Sequence, residues 1–213
     1  MNNRTIGIII ASVIVIFAFL AVIYKLTNSS PSTTSPDTYT ILPTDHIKWS
    51  PDKKNILIEY SDFQCPGCKN IHDLLKQFEA TSSPDFKITQ KVTFIFRHFP
   101  FHPNSYDAAY AAEAAGKQGK FYEMADLLFN SRDEWSKMSD AKEYFIKLAS
   151  GLKLDINQFK IDVNSKEIKN KVANDFSSGD KAGINETPTF FLNGEKLDRI
   201  TSFDEFKKLL LNL

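Results

Sequence analysis

The 213 residues hold two cysteines, and they stand three apart, in Cys65-Pro66-Gly67-Cys68. Asn55–Tyr60 (NILIEY) ahead of them reads as a strand, and the run from Pro66 reads as a helix, so the pair straddles a strand-to-helix junction. Pro66 suits the first helical position, where its missing N–H costs nothing. Unpaired N–H groups and the positive end of the helix dipole at that junction stabilise charge on Cys65, lowering its pKa from about 8.5 toward roughly 3.5 to 7.5. Cys65 is therefore the expected attacking thiolate. Cys68 lies one turn deeper with its sulfur turned back toward Cys65, where it can resolve a mixed disulfide. A disulfide serving only as a clip would close a loop too short to constrain much chain entropy, so the spacing favours redox chemistry.

The elements that must hold this pair follow from periodicity. His46–Trp49 is a short strand candidate, and Asn55–Tyr60 ends just before the cysteines. Pro66–Ala80 carries Ile71, Leu74, Leu75 and Phe78 at helical spacing, and after the Ser82-Ser83-Pro84 break Lys91–Phe96 (KVTFIF) reads as a buried strand. Together these predict a right-handed β-α-β unit. From Asn104 to about Ala182 the pattern is helical, punctuated at Gly116, Gly119, Asn130-Ser131, Gly151 and Asn164-Ser165. Strand signals resume at Pro188–Leu192, and Asn193-Gly194 predicts a tight hairpin returning through Glu195–Leu197. Ser202-Phe203-Asp204-Glu205 is a capping box opening a final helix with an apolar stripe of Phe203, Phe206, Leu209, Leu210 and Leu213.

The N-terminus has a different character. Ile6–Tyr24 holds no charged residue, and 19 residues at about 1.5 Å each match the hydrocarbon thickness of a bilayer. No small-x-small cleavage site follows, so the segment reads as an uncleaved single-pass anchor over residues 1–26. Residues 27–40, biased to Ser, Thr and Pro, read as a flexible tether to a domain over 41–213. With 26 Lys+Arg against 26 Asp+Glu the chain has zero formal net charge, which removes the attraction expected of a nucleic-acid binder.

Four strings carry a resemblance to the DsbA-like branch of the thioredoxin superfamily: NILIEYSDFQCPGC, RHFPFHPNS from Arg97 to Ser105, the helical insertion, and GINETPTFFLNG from Gly183 to Gly194. The resemblance implies an α/β thioredoxin fold with an inserted helical subdomain at about 104–182, here preceded by a transmembrane helix. It implies a cis peptide at Thr187-Pro188 facing the cysteines, with Thr187, Pro188, Pro66 and Gly67 contacting substrate. It also implies an acidic residue six positions before the first cysteine, which is Glu59. A partly buried carboxylate there could relay the proton that Cys68 must gain and lose. Phe63 and Phe101 are either core aromatics or the apolar surface that receives unfolded polypeptide. Gly67 stands where the strongest oxidants of the branch carry a histidine, which leaves the reduction potential open.

Histidines supply the competing chemistry. His72 follows Cys68 by four residues on the same helical face, and C-x-x-C-x-x-x-H offers three soft ligands to zinc or copper. A fourth ligand would have to be His98 or His102, and Pro188 beside the sulfurs would crowd it. His98 and His102 are instead expected to hold the turn into the insertion through backbone carbonyls, and the Asn185-Glu186-Thr187 sequon reads as accidental. The expectation is a thiol:disulfide oxidoreductase, without metal or cofactor, on the outer face of the cytoplasmic membrane. It would donate disulfides to reduced exported polypeptides and, as the resemblance implies, be reoxidised by a membrane quinone-linked partner. The alternatives are a reductase or isomerase of the same fold and a metal-binding module using Cys65, Cys68 and His72.

Overall fold

The computed structural model describes residues 38–80, 84–200 and 202–213, with Ile16 and Phe19. Apart from Ile16 and Phe19, the expected anchor Ile6–Tyr24 lies outside the described residues, as does the greater part of the tether; among those described, no helix is long and apolar enough to cross a membrane. Packing begins before Ile41, since Thr38 is buried and the Thr40 carbonyl accepts a hydrogen bond from Arg97 Nη2 at 2.7 Å.

Five strands form one mixed sheet: β1 (His46–Trp49), β2 (Asn55–Ser61), β3 (Val92–His98), β4 (Thr189–Leu192) and β5 (Glu195–Lys196), in the order β1-β3-β2-β4-β5. β2 occupies the centre, parallel to β3 and antiparallel to β4. Helix α1 (Pro66–Glu79) and the short helix α2 (Lys87–Lys91) connect β2 to β3. Six helices separate β3 from β4: α3 (Ser105–Lys117), α4 (Phe121–Asn130), α5 (Arg132–Trp135), α6 (Lys142–Gly151), α7 (Ile156–Asp162) and α8 (Lys166–Lys181). Helix α9 (Phe203–Leu211) ends the chain, with Ser202 Oγ accepting from Glu205 N as the capping box requires.

Alternation along β2 divides the interior. Leu57 faces one core with Cys68, Leu75 and Phe78 of α1, while Ile56, Ile58 and Tyr60 face a second core with Phe99, Ile184 and Phe191. Since successive side chains alternate, Glu59 and Ser61 lie on the α1 side with Leu57. β3 runs past the expected end at Phe96 because Arg97 and His98, polar in sequence, are buried with partners. Arg97 forms a two-point ion pair with Asp45 at 2.8 and 3.1 Å, and His98 Nε2 meets Glu113 Oε1 at 2.8 Å. The Asn193-Gly194 turn has φ of 51° and 87°, and Asn193 also pairs with β2 through Ile56 N and O.

Candidate active site

Cys65 caps α1 in an extended conformation (φ −71°, ψ 128°), with Pro66 next and no acidic residue in the first turn. An Asp or Ser at such a cap would occupy the free N–H groups with its own oxygen; here a sulfur stands in that place. Cys65 is 9% exposed and Cys68 is fully buried, so even the outer thiol is more enclosed than the sequence implied. Across from them runs the loop entering β4, whose Thr187-Pro188 peptide is cis. Cys65 Sγ lies 3.4 Å from the Thr187 carbonyl oxygen. A Cβ on Gly67 would sit 3.4 Å from Pro188 Cδ and 3.7 Å from both Cys65 Sγ and Thr187 O, so these four residues converge on one spot. Pro66 is exposed beside them, and Thr187 and Pro188 are half-buried.

The two thiols are pushed apart electrostatically. Cys65 is lowered from 9.0 to about 5, first by the hydrogen bond that the Cys68 thiol gives it, with burial opposing and the Thr187 side chain and the Cys68 and Gly67 N–H groups adding. The helix terminus thus acts through those two N–H groups, and the neighbouring thiol is the larger donor. Burial pushes Cys68 well above an ordinary thiol, and its bond to Cys65 and the charges of Cys65 and Glu59 push it further. Glu59 is 3% exposed on the central strand, not at a sheet edge. Burial raises it from 4.5 to about 7, Ser61 opposing and the charge on Cys65 adding.

The sequence reading assigned no role to Asp62 or Gln64 in the loop between β2 and α1, yet these two are the most heavily bonded residues of the site. Asp62, 1% exposed, accepts from Gln64 N at 2.7 Å and from the Ser105 hydroxyl through one oxygen, and from Phe101 N at 2.8 Å and His102 Nδ1 at 2.7 Å through the other. Its own N–H points at Cys68 Sγ, 3.4 Å away. Gln64 accepts from Asn104 N at 2.8 Å and donates to the Ser136 carbonyl at 3.0 Å, while Arg132 Nε donates to the Gln64 carbonyl at 2.6 Å. The helical insertion therefore fixes the backbone that enters the cysteine motif. An Asp two residues before a Gln, just ahead of the helix, was the available signal.

The histidines differ from expectation. His98 and His102 bond the carboxylates of Glu113 and Asp62, not backbone carbonyls, because each sits beside a buried acid that the chain order does not reveal. His72 stacks on Phe129 (centroids 4.6 Å) with Nε2 3.3 Å from Asp126 Oδ1. Among the described residues, ligand atoms converge at His98, Glu113 and Asp175, not at Cys65, Cys68 and His72. Phe63 is core, stacked on Phe96, whereas Phe101 is 51% exposed beside Phe99 and Phe176.

This arrangement, a mixed sheet with paired thiols at the first turn of the helix after its central strand, defines a thioredoxin-fold protein. A family model described as Thioredoxin matches residues 42–212, and the chain belongs to that family. It is similar in structure to alpha-DsbA1 of Wolbachia pipientis, with a TM-score of 0.71 and 26% identity over 83% of this chain and 94% of that one. BdbD of Bacillus subtilis in its oxidised form shares the fold at a TM-score of 0.67 and 22% identity, covering 79% of this chain and 92% of that one. In sequence, the chain is 37% identical over 159 residues to a Mycolicibacterium gilvum protein named Na(+)/H(+) antiporter NhaA 1, a stretch that covers 71% of this chain and 24% of that protein. A Mycolicibacterium vanbaalenii protein of the same name is 34% identical over 204 residues, 91% of this chain and 31% of the relative. The chain thus spans less than a third of these curated relatives, and the antiport in their names is said of those longer proteins.

Proposed function

We propose that this chain is a thiol:disulfide oxidoreductase that donates the Cys65–Cys68 disulfide to reduced exported polypeptides, tethered by residues 6–24 on the extracytoplasmic side of the membrane. A substrate thiolate attacks Cys65, the Cys65–Cys68 bond breaks, and Cys68 leaves as a thiolate that takes a proton from Glu59. A second substrate thiolate then attacks the substrate sulfur of the mixed disulfide and Cys65 leaves as a thiolate. The substrate has lost two electrons, and the cysteine pair holds them. Thr187, Pro188, Pro66 and Gly67 form the surface on which the substrate backbone lies, and a quinone-linked membrane partner takes the electrons back. Both electrons reside in the sulfurs, so the exchange uses no cofactor.

The observation that carries this reading is Cys65 at the N-terminal cap of α1, 3.4 Å from the carbonyl of the cis Thr187-Pro188 loop and beside a fully buried Cys68, a placement that lowers Cys65 and raises Cys68. A thiolate stabilised in the reduced protein makes its disulfide the less stable partner, which favours donation over reduction. Equilibration with glutathione buffers tests it. Donation requires a potential well above the about −270 mV of a reducing thioredoxin. A value at or below that figure would assign the same site to a reductase.

A further inference from the structure

A proton passed from Cys68 to Glu59 has nowhere obvious to go. Cys68 is fully buried and Glu59 is 3% exposed. On the front, Cys65 and Thr187 form the surface that a substrate covers during exchange, when proton movement is needed. Behind Glu59, however, lies a cavity of about 20 Å³, walled by Glu59, His72, Lys48, Glu79, Tyr122 and apolar side chains of β3, α1 and α4. That volume holds one water molecule, for which roughly 10 to 15 Å³ suffices.

The wall of the cavity is selective. Lys48 pairs with Glu79, Lys76 bridges Glu79 and Asp126 at 2.8 Å each, and the Tyr122 hydroxyl donates to the His46 carbonyl at 2.6 Å. His72 Nε2 and Asp126 Oδ1 are buried and make no hydrogen bond of proper geometry, although 3.3 Å apart. A buried polar pair left this way is an exception that calls for a physical account. His72 stacks on Phe129 and lines the cavity while its Nε2 faces Asp126, whose side chain is 26% exposed.

We infer that His72 is the outer station of a rear proton route, Cys68 to Glu59 to a single cavity water to His72 and Asp126, and so to solvent on the side away from substrate. The inference rests on the exchange chemistry proposed for Cys65 and Cys68. When Cys68 must attack, its thiol proton goes to the Glu59 carboxylate, and the Glu59 proton leaves by this route; when Cys68 is expelled as a thiolate the same steps run in reverse. The groups facing His72 are Asp73 and Lys76 of α1, Lys48 of β1, Asp126 of α4 and, across the cavity, Glu59 and Glu79. Burial is the main force lowering His72 to about 4, with Asp126 opposing and Lys48 and Lys76 adding. The imidazole is therefore neutral at physiological pH and passes the proton on without storing it.

The test follows reduced protein reacting with glutathione disulfide, acid-quenched and resolved by mass. Attack by Cys65 gives the glutathionylated species, and attack by Cys68 on Cys65 removes it. In His72→Gln, formation of the adduct is expected within about twofold of wild type, while its resolution slows about tenfold, short of the roughly 10²–10⁴ of losing a general acid–base group because Glu59 remains. The slow step should show a larger solvent deuterium isotope effect, while the dependence on Glu59 ionisation near pH 7 is kept. In His72→Gly, added imidazole should restore it, and should do nothing for Glu59→Gln. A wild-type resolution rate and isotope effect in His72→Gln would overturn the route, as would a slow His72→Gly indifferent to imidazole. If wild type itself forms no adduct, the exchange chemistry fails and not the route alone. Should His72→Gly fold poorly, the rate and isotope effect of His72→Gln decide the question.

Discussion

Glu59→Gln should make the protein more stable, and the gain should depend on pH in a way that no ordinary packing change imitates. Glu59 is raised from 4.5 to about 7, chiefly by burial. Between those values the folded protein holds a proton that the unfolded chain has released, so stability falls as pH rises through this window. Below 4.5 both states are protonated and the carboxyl costs nothing; above about 7 the folded protein carries a buried carboxylate. At 1.36 kcal/mol per pH unit the full penalty is about 3 kcal/mol, of which about 1 kcal/mol is already present at pH 5. Glutamine copies the neutral acid and never ionises. Urea unfolding of reduced wild type and Glu59→Gln should therefore give a stability difference that grows by about 2 kcal/mol between pH 5 and pH 8. The oxidised pair should show a smaller growth, because the Cys65 charge that helps raise Glu59 is gone. A difference that is flat with pH, or a glutamine variant less stable at pH 8, would refute a buried carboxyl with a raised pKa at this position.

Two further outcomes follow from the geometry. Native reduced protein should alkylate at Cys65 with half-titration near pH 5, while fully buried Cys68 stays unlabelled until urea is added; equal labelling, or a midpoint near 8.5, would remove the thiolate from the mechanism. Gly179→Ala should destabilise by about 1 to 3 kcal/mol in thermal unfolding, because its Cβ would meet Phe99 carbons at 2.7 Å and Tyr60 Cδ1 at 3.0 Å; an unchanged midpoint would mean that α8 is not seated against the sheet so closely.

What could be read from the chain was whatever is local. Cys65-Pro66-Gly67-Cys68 follows a β-branched run and opens an apolar stripe at helical spacing, so both flanking elements and the dipole argument lie within 25 residues. Asn193-Gly194 and Ser202-Phe203-Asp204-Glu205 work the same way, each naming its structure by its own side chains. The insertion was legible as helical but not in detail. Helix α3 buries Ala108, Ala109, Ala111, Ala112, Ala114 and Ala115, and a helix buried on nearly every side has no periodicity to read. The site's supports were hidden for the opposite reason. Asp62 meets Ser105 and His102, and Gln64 meets Asn104 and Arg132, across about 40 to 70 positions of chain, so nothing near either member announces the bond. Phe63 and Phe101 look alike as isolated aromatics, and only the register of the loop sends one inward and leaves the other half exposed.

The tuning of the two thiols has separate sources on the two sides of the sulfurs, and that separation explains why one motif can serve proteins of different redox character. In front, Cys65 is stabilised by hydrogen-bond donors, the Cys68 thiol, the Thr187 side chain and two backbone N–H groups, and Gly67 adds no side chain of its own. Behind, the charge of Glu59 raises Cys68 from the buried face of β2. The two sides communicate, since charge on Cys65 raises Glu59 and charge on either raises Cys68. Reduction places charge on Cys65 and so strengthens the hold of Glu59 on its proton; oxidation removes the charge and loosens that hold. The proton therefore follows the electrons, entering the buried side as the pair is reduced and leaving as it is reoxidised. A change at Gly67 would act first on the electron side and a change behind Glu59 first on the proton side, each reaching the other through the charge on Cys65 and the Cys68 thiol.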